Sequence, residues 1–467
     1  MKIRYIILTA IVVLLALGAM AVMLERRNAN EETSEPVVLD KQEDGSIASS
    51  EAALYSWYVD VEKSAEMKRL VKASKGLDGT YEIRTPEELI GFSRLSNGLA
   101  KVGDYTIPIQ HFKGEKLVLE NDLVFNTGDA SEWTKDTKDL FAWTPIAHQH
   151  KWGNLTTTRW FGGEFDGQGH YISGLFTNGK WETTEKEGRN TGLFGHCYRA
   201  EIHDLVVVNS AFCNYLGTYT GQGAALIDKI EGCDVYNIYA DVDLWSEYAL
   251  GGIVAYAHDT GNLISHIHHC VYAGNMTVLD SSDRLVVGGI LGCSDSSGDA
   301  PMEISDCLML GTVYFHENLR DDIDNSFGGI VGTLKNDFAE IRDCFFAGTL
   351  DIPESLKSTA YLYVFTIAGG TGNFPLIADC AWDTSRLPAS NMRASLLKPL
   401  NGDGTNEGIA SLIGHDTERY DWITPAGGYP MPKAVYRMWE PWKDVDFTSV
   451  GISEVSDPNA EPASEAA

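Results

Sequence analysis

Seven isoleucines recur through the middle of the chain, each three residues ahead of an apolar or cysteine partner. The pairs are Ile172 and Leu175, Ile202 and Leu205, Ile230 and Cys233, Ile267 and Cys270, Ile304 and Cys307, Ile341 and Cys344, and Ile377 and Cys380. The steps between the isoleucines are 30, 28, 37, 37, 37 and 36 residues. A unit of that length cannot bury its apolar face until neighbours stack on it, so the period demands a solenoid or a propeller. The segments around it are short and β-rich, as in Cys307-Leu-Met-Leu310, Thr312-Val-Tyr-Phe315 and Cys344-Phe-Phe-Ala347, with Gly, Asn, Asp and Ser between them. Like side chains at one position of successive units stack about 4.8 Å apart along parallel strands, which favours a coil of three short strands over a propeller blade. Buried residues on a straight strand lie two apart, so an offset of three places a corner between them.

Two glycine ladders accompany the first. Gly251-Gly-Ile253, Gly288-Gly-Ile290 and Gly328-Gly-Ile330 are spaced by 37 and 40 residues, and Gly274, Gly311 and Gly348 each follow a cysteine by four. Together the ladders predict an all-β chain, a right-handed parallel β-helix over residues 97–385. Upstream, Thr85-Pro-Glu-Glu88 joins an N-cap residue, a first-turn proline and a glutamate at N3, then Leu89, Ile90, Phe92 and Leu95. This predicts an amphipathic capping helix over 86–96, inside a helical N-terminal cap region of 53–96 that includes the helix-prone 64–74. Residues 386–450 are expected to cap the far end. The acidic, Ala- and Pro-rich 451–467 are expected to be a disordered tail.

Residues 5–24 form an apolar run of 20, interrupted only by Thr9 and Gly18 and preceded by Lys2 and Arg4. That length suits a spanning helix better than a secretory core of about 7–15 residues, while Ala19-Met-Ala21 offers a cleavage site. Residues 1–24 therefore read as a signal peptide or a membrane anchor, and 25–52 as an acidic flexible linker. The remainder is expected at the extracellular face of the envelope, tethered or secreted. Against 36 Lys and Arg stand 66 Asp and Glu, a net charge of -30, and no basic cluster offsets it. Such a surface repels polyphosphate and excludes nucleic acid as a partner.

Four blocks in order carry a family resemblance: Tyr81-Glu-Ile-Arg-Thr-Pro-Glu-Glu-Leu89, Leu117-Val-Leu-Glu-Asn-Asp-Leu123, Trp143-Thr-Pro-Ile146 and Phe161-Gly-Gly-Glu-Phe-Asp-Gly-Gln-Gly-His-Tyr-Ile172. The series resembles the opening of GLUG-repeat bacterial surface proteins. Gly192-Leu-Phe-Gly195 resembles the motif that names them, with Gly289-Ile-Leu-Gly292 and Gly329-Ile-Val-Gly332 as near variants and Gly252-Ile-Val-Ala255 as a departure. Trp422 and Gly427-Gly-Tyr-Pro430 resemble the closing segment, so the likeness covers residues 81–435. It implies a β-helix at bacterial surfaces, found in adhesins and as an accessory region of some secreted proteases, with no single conserved activity. The chain has no HExxH zinc-protease motif. The motif residues Gly192, Gly195, Gly289, Gly292, Gly329 and Gly332 read as structural.

The cysteines at 233, 270, 307, 344 and 380 read as one stacked ladder of buried thiols, because parallel Cβ vectors on adjacent coils suit a disulfide torsion poorly. Cys197, Cys213 and Cys293 lie off that ladder, where a pairing stays open. His266, His268 and His269 are weighed as metal ligands against an ordinary surface strand. The acidic turns 280–283, 295–299 and 321–324 could offer oxygens to Ca²⁺, with Asp321, Asp322 and Asp324 as its ligands. Asp241, Asp243 and Trp245 alternate with Val242 and Leu244 and should share an outer face. Carboxylates at i and i+2 lie about 6.5–7 Å apart, within the range of an inverting glycosidase pair, and the tryptophan could stack on a sugar. Glu164 and Asp166 read as part of a structural turn. Three functions are consistent with these features: a non-enzymatic, adhesin-like surface module binding a glycan, a wall polymer or a protein; a polysaccharide lyase or glycoside hydrolase; and a structural spacer of the envelope.

Overall fold

The computed structural model describes residues 36–42, 44–47, 54, 80–102, 104–148, 159–178, 190–214, 222–279, 284–295, 302–317, 319, 325–334, 339–357, 362–369, 376–383, 422–425 and 429–450. Residues 1–36 form a unit of their own, of which only Pro36 is described. The apolar run 5–24, the segment 64–74 and the tail 451–467 lie outside the described residues. No helix among the described residues is long and apolar enough to cross a membrane.

Among the described residues, the strands between Val37 and Trp382 build a parallel β-helix. One column of its long wall stacks Thr80–Ile83, Lys116–Leu119, Glu164–Asp166, Glu201–Asn214, Asp234–Ser246, His266–Tyr272, Glu303–Ser305, Glu340–Arg342 and Leu376–Ala378, each strand parallel to the next. A second wall runs from Asn190–Thr191 to Leu362–Phe365 and a third from Phe194–Tyr198 to Val331–Leu334. Phe165, Ile202, Val235, Ile267, Ile304 and Ile341 stack in register and point inward, fully enclosed.

The predicted corner has a backbone cause. Asp204, Asn237, His269, Asp306, Asp343 and Asp379 all adopt φ between 51° and 54°. Asn, Asp and His tolerate this left-handed conformation better than other side-chain-bearing residues. The turn swings the next residue into the core, which places Leu205, Ile238, Cys270, Cys307 and Cys344 there.

One coil departs from the expected ladder. Val235 and Ile238 hold the positions assigned to Ile230 and Cys233, and Ile172 pairs with Val207 rather than with Ile202. Ile230 belongs to the third wall beside Cys197, and Cys233 lies in a neighbouring buried column between Ala200 and Ser265. The position accepts any apolar side chain that fills it, so its occupants need not be cysteine. The thiol stack thus has four members: Cys270, Cys307, Cys344 and Cys380 donate to carbonyls two residues back, at 3.2, 3.1, 3.2 and 3.3 Å. All eight cysteines are free. Burial pushes the thiols of Cys307 and Cys344 well above their usual range, so they behave as inert core groups.

The glycine ladder holds, with Gly251, Gly288 and Gly328 in register. At Gly289 a Cβ would fall on the carbonyl oxygen of Gly329 and on the Met309 side chain, so the tight turn between the second and third walls requires its absence.

The capping helix is Pro86–Asn97. Thr85 accepts from the Glu88 amide at 3.2 Å, Gly98 ends the helix at φ 68°, and Leu89, Phe92 and Leu95 are enclosed. The acidic segment before it is not all linker. Val37–Val38 pairs with Leu123–Val124, Leu39 is buried, and the Asp40 amide donates to Glu87 at 3.1 Å.

Of the segment 386–450 expected as a cap, residues 386–421 and 426–428 lie outside the described residues, and 422–425 and 429–450 run as a lengthwise strap. Tyr171, Val206, Tyr239, Val271, Leu308, Phe345 and Ala381 form an unbroken outward-facing apolar column across successive coils. Trp422, Met431 and Val435 join this column in one cluster, with Tyr429, Trp439, Trp442 and Phe447 at its edge. Tyr429 contacts Phe345, Trp439 stacks on Tyr239 with centroids 5.3 Å apart, and Trp442 and Phe447 meet Tyr171 edge-on. The helix Lys433–Trp439 therefore crosses several coils on the outside of the long wall.

Candidate functional site

Alongside the strap, the long wall presents a polar face. Each strand there reads polar, apolar, polar: Glu164-Phe-Asp166, Glu201-Ile-His203, Asp234-Val-Tyr236, His266-Ile-His268 and Glu303-Ile-Ser305. The middle residue points into the core, so strand alternation sends the flanking two outward. In-register pairing then stacks Asp166, His203, Tyr236, His268 and Ser305 in one row and Lys116, Glu164, Glu201, Asp234, His266 and Glu303 in the other.

The rows are tightly bonded. The rings of His203, Tyr236 and His268 lie parallel, with centroids 4.8 and 5.0 Å apart, and so turn their polar edges rather than their faces to solvent. The Tyr236 hydroxyl donates to Glu201 at 2.6 Å, and His268 Nε2 meets Asp234 at 3.1 Å. His203 Nδ1 lies 2.8 Å from Asp204 and its Nε2 3.3 Å from Glu164. Burial opposes charging the His203 ring, but the carboxylates of Asp204, Asp166 and Glu164 together hold its pKa above the ordinary value. Asn237 Nδ2 donates to Asp204 at 2.8 Å, which ties two coils at the corner.

Glu164, Asp166 and His203 place ligand atoms within 4.8 Å of one another, a spacing that suits a cation. Lys116 Nζ already fills that role, at 2.6 Å from Glu164 and 3.0 Å from Asp166. Burial works against the charge of both Lys116 and Glu164, yet the pair raises the lysine pKa and lowers that of Glu164. A metal here would have to displace an ammonium, so the set fits an ion pair better than a bound ion. The sequence assigned Glu164 and Asp166 to a turn alone; the recurring polar-apolar-polar triplets were the available signal.

Asp241, Asp243 and Trp245 do alternate with the enclosed Val242 and Leu244. Asp241 lies between Val208 and Ala273, beside the apolar stripe under the strap. It keeps solvent contact, yet the crowding that strips water from it, followed by the charge of Asp243, pushes its pKa up to about 6. Asp243 is tied to the next coil by the Asn275 side chain at 3.0 Å and its amide at 3.2 Å. Trp245 packs against the cluster of Ala130, Trp133, Phe176 and Ala211, so its ring is part of the wall. Asp321, Asp322 and Asp324 lie outside the described residues, as do the turn 280–283 and most of 295–299. Asp295 itself accepts from the Tyr256 hydroxyl at 3.2 Å.

No protein-family model matches the chain, and no curated protein matches it. Among solved structures it is similar to a "putative immunoglobulin A1 protease" from Bacteroides ovatus, with 11% identity, a TM-score of 0.41, and 77% of this chain and 94% of that chain covered. A similarity at that level transfers no activity to this chain.

Proposed function

We propose that the chain is a non-catalytic binding module of the extracellular envelope, held there through residues 5–24, and that the polar face of the long wall takes an extended glycan or wall polymer. The observation that supports this reading is the repetition itself: each coil from Glu164 to Glu303 turns two polar groups outward, drawn from carboxylates, imidazoles, one phenol and one hydroxyl. Carboxylates and imidazoles accept from sugar hydroxyls, and a phenol both donates and accepts. A row of such groups at strand spacing suits a polymer lying along the solenoid axis, where affinity accrues over several weak contacts. The likeness to GLUG-repeat surface proteins agrees with this placement.

A second reading, a glycoside hydrolase, is favoured by Asp241, whose pKa of about 6 beside Asp243 suits a proton donor. One experiment separates the two. The purified protein is incubated with a panel of polysaccharides and wall fragments, and retention is scored together with new reducing ends. The binding reading expects retention without cleavage, weakened in Tyr236→Ala and unchanged in Asp241→Asn. Chain cleavage abolished by Asp241→Asn would establish the hydrolase instead.

A further inference from the structure

We infer that His268 and His269 form a site for a divalent transition metal of tetragonal preference, Cu²⁺ or Ni²⁺. On a straight strand, neighbouring residues point to opposite faces and cannot share a ligand. His269 is the corner residue of its coil, at φ 52°, and the turn brings the two imidazoles to one side, with their Nδ1 atoms 2.9 Å apart. The rings meet edge to face, at 80°.

Metal–imidazole bonds are about 2.0–2.1 Å long, so two nitrogens 2.9 Å apart subtend about 90° at a shared ion. That is the cis angle of a tetragonal centre, whereas a tetrahedral zinc site would need the nitrogens about 3.3 Å apart. The tautomers agree. His268 Nε2 meets Asp234 at 3.1 Å, and when that nitrogen carries the proton, the Nδ1 lone pair is left facing His269. Carboxylate–imidazole–metal relays of this kind orient a ligand and raise its basicity. The stacked Tyr236 ring fixes the plane of His268 from one side. Binding replaces the nitrogen-to-nitrogen hydrogen bond between the two rings, each then held through Nδ1 in its Nε2–H tautomer. The His268 side chain is 29% exposed, so water can complete the coordination sphere.

The inference goes beyond the glycan reading: it draws on His268 and Asp234 of the same face, but its readout is metal binding, which succeeds or fails whether or not a glycan is retained. The fold supplies its own conservative variants. His268→Ser copies Ser305 one coil on, and His269→Asn copies Asn237 one coil back, at a position where asparagine holds the same positive φ. The test titrates Cu²⁺ into the tag-free full-length protein by calorimetry and records its electron paramagnetic resonance spectrum. The expected result is one tight equivalent with hyperfine coupling to two imidazole nitrogens, weakened about tenfold or more in either variant and about 10–100-fold in Asp234→Asn. Ni²⁺ should bind more weakly at the same site, following the usual order of divalent affinities. Unchanged affinity in both variants, or coupling to fewer than two nitrogens, overturns the site. Where a variant fails to fold, the spectrum of the unmodified protein decides.

Discussion

Asp228 occupies the position that Gly195, Ala255, Gly292 and Gly332 hold in other coils of the third wall. Its carboxyl is fully buried with no hydrogen-bond partner, and burial pushes its pKa well above the usual value despite the opposing charge of Lys229. The fold therefore holds this proton to higher pH than the unfolded chain, which loses it near 3.8, so stability falls as pH rises from that value toward the folded pKa. Asp228→Ala, which restores the residue type of Ala255, is expected to raise stability at pH 7 by about 1–3 kcal/mol and to gain much less at pH 4, read from urea denaturation at the two pH values. Glu231 carries the opposite sign. Burial raises it, but the His196 ring 3.3 Å away and the hydrogen-bonded Lys229 ammonium outweigh that and hold it at about 2, against 4.5 unfolded. Its stabilisation is complete above 4.5 and is lost as pH falls toward 2. Glu231→Gln should flatten the acid limb of the stability curve in that window, and an unchanged limb would show that the ion pair contributes nothing.

At the scale of elements, strand type and period were legible before the structure, and exact register was not. The isoleucine-to-cysteine offset of three required a corner, and the corner exists because Asp, Asn and His accept positive φ. The coil of Val235 and Ile238 escaped because a buried column selects for shape rather than identity, while Cys233 shares its residue type with the cysteine column and sits outside it. The strap escaped for a related reason. Each outward residue of its column follows an inward one, so Val206, Tyr239, Val271, Leu308 and Phe345 read locally as strand core, and only alternation across all coils exposes a second apolar face. The polar ladder was likewise written in triplets that look like ordinary half-exposed strands until register stacks them. The strap makes a direct prediction. Trp439 is half-buried on Tyr239, and Trp439→Ala should cost about 1–3 kcal/mol by calorimetry, whereas a purely adventitious contact would leave the melting temperature unchanged.

For the whole molecule, the strap decides how the solenoid unfolds. A stack of coils is a one-dimensional system in which each unit contacts only its neighbours, so a long array can lose cooperativity and fray from its ends. Here one segment touches coils far apart in sequence: Trp422 Nε1 donates to Asp306 at 2.9 Å, Tyr429 Oη to Asp383 at 2.6 Å, Asn209 Nδ2 to the Phe447 carbonyl at 3.0 Å and Trp442 Nε1 to the Gly169 carbonyl at 3.3 Å. Fraying at either end therefore strips the strap from the middle, which couples coils that otherwise do not meet. Deleting residues 422–467 should uncover the apolar column from Tyr171 to Ala381, raise binding of a hydrophobic dye, and replace one sharp thermal transition by a broad or stepwise one. The measurement is calorimetric, comparing the measured enthalpy with the enthalpy implied by transition width. Agreement in the intact chain and disagreement in the truncated one would show that the strap supplies the cooperativity; agreement in both would place it in coil-to-coil stacking alone.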